Sequence, residues 1–175
     1  EKQKIMAGSV FALMALGMIK VILRFTGVWP DNGDPMLLIL LVIHTSFGAY
    51  FYATVLIMFA SMVADIVDEQ DHHTGLRQEG VFSAGISFAG KATSGLGLVI
   101  SGVLLDLVVH FPRSAKPGQV PEDTLLSLAV IDGIIMPALY LVPLFLLLRY
   151  SLTSERLAGI QVDLQKRGQP QTEPI

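Results

Sequence analysis

The sequence predicts an all-α, polytopic membrane protein with four transmembrane helices. Of its 175 residues 52% are hydrophobic, and the mean hydropathy is +0.60. Only 15% are charged, against about 25% in a soluble domain. The apolar residues fall in four blocks, each long enough to cross roughly 30 Å of hydrocarbon, with most charges gathered between the blocks. The spans are placed at about 5–25, 36–66, 80–107 and 124–149. They make a transmembrane domain over 1–150, followed by a cytoplasmic tail over 151–175.

Composition also excludes function classes. There is no cysteine, hence no disulfide framework and no thiolate metal site. No basic patch is interleaved with aromatics, so nucleic acid is not an expected partner. No His/Glu set stands at ligand spacing and no Gly-x-Ser-x-Gly turn occurs, so neither a catalytic nor a metal site is expected and the chain is not read as an enzyme. His72 and His73 are adjacent in a polar stretch without a third ligand, which is weak ground for a metal. The chain opens on Glu1 and no small-x-small cleavage site precedes a polar region. This start is read as a cut within a longer protein.

In span one, Lys20 lies a turn before Arg24 and is expected to snorkel to the surface. Gly8 and Gly17 suit close helix packing. The loop TGVWPDNGDP is rich in turn residues, and Trp29 reads as an interfacial anchor. Span two is long for a bilayer and is expected to tilt or project. On a helical wheel, Tyr50, Thr54, Ser61, Asp65 and Asp68 fall within about 60° of one another, with His44 about 60–120° away. This polar stripe suits a cavity, and helix packing accounts for it equally well.

The stretch DEQDHHTGLRQE (68–79) reads as a charged loop. Span three follows, with Ser83, Ser87, Ser94 and Ser101 within about 40° and Lys91 about 40° beyond. Lys91 lies eleven residues past Gly80, roughly 17 Å into the bilayer. An intramembrane lysine is retained where it faces a cavity, a carboxylate or a ligand. The alternative is a lysine permanently paired for assembly. Span four carries Asp132, read as an interfacial or packing residue, and Pro137 and Pro143, which kink membrane helices. Leu157, Ile160 and Leu164 recur at helical spacing and predict a short amphipathic helix on the membrane surface. Lys2, Lys4, Arg77, Arg149, Arg156, Lys166 and Arg167 fall on one side, against Arg24, Arg113 and Lys116 on the other. This places both termini in the cytoplasm.

Met62-Val63-Ala64-Asp65-Ile66-Val67-Asp68, then Gly75-Leu76-Arg77-Gln78-Glu79-Gly80, then a helix with Lys91 among small residues, resemble the glycoside–pentoside–hexuronide:cation symporter family. This melibiose permease-like branch belongs to the major facilitator superfamily. The segment Arg149 to Arg156 is similar to the end of that family. The resemblance implies that the chain is a C-terminal fragment whose spans are the last four of a twelve-helix fold. It implies symport of a sugar or glycoside by alternating access in the cell inner (plasma) membrane. Lys91, Tyr50, Thr54, His44, Ser87 and Ser94 would be cavity or substrate residues. Asp65, Asp68, Arg77 and Glu79 would be a cytoplasmic gate cluster, with an ordinary solvated helix end as the bland alternative. No cofactor is implied beyond a coupling Na+, Li+ or H+, bound mainly by the missing N-terminal part of the transporter. The expected partners are the sugar, the cation, the bilayer and that missing part. Competing readings are a non-transporting four-helix scaffold or assembly subunit, and a transporter of lipid-like substrates.

Overall fold

The computed structural model describes residues 2–31, 33–112, 116, 119–149 and 154–168. Helices dominate, and no strand occurs among the described residues. The order is α1 (Lys2–Phe25), α2 (Pro35–Thr74), α3 (Glu79–Val103), a π turn (Leu104–Val108), α4 (Glu122–Val130), a second π turn (Ile131–Ile135), α5 (Met136–Leu139), α6 (Leu141–Leu148) and α7 (Ser154–Gly168). Four segments are long and apolar enough to cross a membrane: α1, α2, α3 with its π turn, and the run Glu122–Leu148.

Local chemistry sets the ends. Asp34 caps α2 by accepting a hydrogen bond from the Met36 N–H (2.8 Å), with Pro35 in the first turn. Gly75, at φ 69°, closes the far end by donating its N–H to the Asp71 carbonyl (2.8 Å). Between these caps α2 runs for 40 residues, about 60 Å at 1.5 Å per residue, twice the hydrocarbon thickness. The stretch expected to be a loop from Asp68 is therefore helical through Thr74. In the fourth segment Pro137 lacks an N–H, and the helix widens to a π turn just before it. A break at Tyr140 separates α5 from α6, ahead of Pro143.

α1 packs along α2 and against the fourth segment, and α7 packs on α2. Gly17 and Gly133 allow the tightest crossing. A Cβ on Gly17 would sit 2.9 Å from Pro137 Cγ, and one on Gly133 would overlap the Val21 side chain. The packing expected of Gly17 is thus present, whereas Gly8 faces open space. Opposite helix ends are pinned by polar contacts. At one end Gln3 Nε2 donates to the Leu147 carbonyl (2.6 Å), and toward the other Lys20 Nζ meets Asp132 Oδ2 at 2.7 Å. Few apolar side chains are buried; Leu38, Phe88 and Leu98 are among the many exposed. Such a surface suits surroundings of lipid rather than water. α3 has no buried residue and touches α2 only sparsely, beyond the Gly75 turn.

Candidate functional site: an open lysine helix and a charged turn

α3 carries Lys91, Ser87 and Ser94, all exposed. Lys91 makes no hydrogen bond or ion pair to a described residue, in contrast to Lys2 and Lys20. The lysine and serine side of this helix is not covered by any described residue. The helix runs unbroken from Glu79 to Val103, with no proline to remove a backbone N–H.

On α2, Tyr50 is exposed and packs edge-on to Phe51, with ring centroids 5.4 Å apart. The Thr54 hydroxyl donates to the Tyr50 carbonyl one turn back (3.0 Å). His44 Nε2 lies 3.0 Å from the Leu16 carbonyl, so its ring is turned toward α1. Of the two faces open to His44 in the sequence, the structure uses the helix–helix one. The structure does not bring His44 together with Tyr50 and Thr54 through any shared hydrogen bond among the described residues.

The proposed gate residues divide. Arg77 Nε donates to Glu79 Oε1 (2.6 Å), and Arg77 Nη1 lies 3.5 Å from Asp68 Oδ1. The hydrogen bond to Glu79 and its charge raise the Arg77 pKa further, with Asp68 and Asp71 adding to this. Asp65 stands apart: its buried carboxylate takes two contacts from Lys2 Nζ, at 2.9 and 2.8 Å. Arg77, Glu79, Val63, Ala64, Phe82 and Ser83 line a notch of about 210 Å³ where α2 and α3 diverge.

Two further charge sets were not assembled from the sequence. Asp132 pairs with Lys20, a packing role that depends on spans one and four being neighbours. The tail helix docks on the projecting end of α2, with Arg156 Nη2 to Glu69 Oε1 at 2.7 Å and His72 Nε2 to Asp163 Oδ2 at 3.5 Å. Leu157 and Ile160 are buried there, so the apolar face expected on the membrane surface is covered by protein instead. The acidic and histidine residues of 68–73 and the charged residues of 155–163 were the available signal. They went unmatched because the two stretches are far apart in sequence. Among the described residues no group of three His, Cys, Asp or Glu is placed to hold a metal ion.

Searches of curated proteins and of solved structures returned no match. The family model described as MFS/sugar transport protein matches residues 2–154, which is most of the chain. Four helices fit to cross a membrane and an apolar surface agree with that match. The chain therefore belongs to the sugar-transport family of the major facilitator superfamily, a family of multi-pass membrane transporters.

Proposed function

We propose that the chain serves cation-coupled symport of a sugar or glycoside by alternating access, as the C-terminal part of a melibiose permease-like transporter in the plasma membrane. The observation that carries this reading is the condition of α3, a membrane-length helix without a buried residue whose lysine has no partner among the described residues. An uncovered lysine in a bilayer costs about 2.5–3.5 kcal/mol. A facing half with a carboxylate and a wet cavity removes that cost. In this reading the N-terminal half supplies that face and most of the coupling-cation and sugar contacts. Lys91 balances the cavity charge as cation and substrate come and go, and Ser87, Ser94, Tyr50 and Thr54 offer the substrate hydrogen-bonding groups, while His44 is left to the contact with α1. Arg77, Asp68 and Glu79, near the cytoplasmic ends of α2 and α3, latch the inner gate and release when the halves rock apart. Asp65 supports the latch by holding α1 to α2 through Lys2.

The test is uptake of labelled glycosides by the transporter with Lys91→Ala, with and without sodium, alongside surface expression. Uptake should fall at least about tenfold at unchanged expression, the loss of one intramembrane charge worth roughly 1.4 kcal/mol or more. Unchanged uptake would sink the cavity role, and no glycoside uptake by the unmodified transporter would sink the substrate class.

A further inference from the structure

Where α1, the start of α2 and the fourth segment meet, there is a cavity of about 260 Å³. Its floor is apolar, with Val21 and Leu41, and its rim carries Lys20, Arg24, Trp29 and Asp132. The rim holds N–H groups that are not in use among the described residues. An ammonium has three N–H groups, and the Lys20 ammonium gives one to Asp132 (2.7 Å). A guanidinium has five, and Arg24 gives one to the Pro30 carbonyl (2.9 Å). The Trp29 indole N–H has no partner among the described residues. Two cations against one carboxylate leave the rim with a net positive charge.

Depth narrows the ligand. Arg24 and Trp29 sit at the end of α1, and Lys20 five residues before Phe25, roughly 8 Å farther in. This is the boundary between headgroups and acyl chains, where Trp and Arg anchor. We propose that this cavity binds the phosphate of an anionic glycerophospholipid, with Arg24, Trp29 and the spare Lys20 protons on the phosphate and the acyl chains leading away over the apolar floor. Inorganic phosphate offers the same acceptors; the apolar floor and the position in the bilayer favour the lipid. Asp132 keeps Lys20 aimed at the rim, so the ion pair is part of the site as well as of the packing between spans one and four.

Trp29 is the single tryptophan of the chain, so its fluorescence reads this site alone. The chain is reconstituted in neutral vesicles, and phosphatidylglycerol brominated on its acyl chains is titrated in, with brominated diacylglycerol as the headgroup-free control. The expected result is quenching by the phosphatidylglycerol at a mole fraction about fivefold lower than by the diacylglycerol, the ~1 kcal/mol of one basic residue near a membrane surface. Arg24→Gln should abolish that preference and Arg24→Lys restore it. Equal midpoints for the two lipids in the unmodified chain overturn the proposal and leave Trp29 an interfacial anchor, whether or not the variants insert. Relief of quenching by inorganic phosphate would overturn it in favour of a free-anion site.

Discussion

Spans one and four meet through two glycines, whereas α3 holds six and meets almost nothing with them. Gly17 takes Pro137 and Gly133 takes Val21, and beyond the adjacent backbone of α3 no atom of a described residue lies within 4 Å of a Cβ built on Gly80, Gly85, Gly90, Gly95, Gly97 or Gly102. The charged groups divide in the same way. Lys20 is paired with Asp132 across helices, and Lys91 is left open. A small residue or a lysine in a membrane helix is thus an offer, taken up only where topology supplies a neighbour. One region of the chain has closed its contacts within itself, and the other leaves its small polar face open among the described residues.

The comparison can be broken most sharply at the ion pair. Lys20→Met leaves the Asp132 carboxylate without its partner near the edge of the bilayer, and should lower stability in liposomes by at most about 3 kcal/mol, the ceiling set by a charge at the centre of a span. Adding Asp132→Leu should recover most of that, because an apolar pair can replace an ion pair at little cost. If the single variant melts like the parent, the pair contributes nothing to the closed region. Next in size is Gly133→Leu, which forces Val21 aside and should cost about 1–3 kcal/mol in detergent unfolding. Arg156→Ala loosens the tail helix by no more than about 1 kcal/mol, the range for an exposed ion pair. The chain has no native cysteine, so a cysteine pair placed on α2 and α7 reports that docking without background. Its crosslinking rate should drop slightly and should not vanish. Smallest in cost is Gly90→Leu: its side chain enters open space and its helix propensity exceeds that of glycine, so stability should rise by somewhat under about 1 kcal/mol. The same substitution should still impair uptake if the α3 face is covered by the other half of a transporter. Normal uptake would show that the face is merely lipid-exposed.

Much of the architecture is legible in the chain. The four spans follow from apolar block length, and the start of α2 from Asp34-Pro35. The prolines of the fourth span mark where its helix widens and breaks. The charged stretch after Asp68 was less legible. Its polarity reads as loop, yet it stays helical, because the left-handed cap comes only at Gly75 and because α7 offers partners to Glu69 and His72. Lys91 stands out by hydropathy alone. Asp65 was grouped with Arg77 by sequence neighbourhood, and Lys2 from the far end of α1 holds it instead.

Helix number, helix ends and the identity of the unusual intramembrane residues are therefore local properties, set by hydrophobic length, caps and the cost of charge in lipid. Which of those residues close on one another is not local. Lys20 and Asp132 are separated by 112 positions and Lys2 and Asp65 by 63, so their pairing depends on which helices lie side by side. That is decided where glycines let backbones approach, and at α3 the described residues supply no such neighbour.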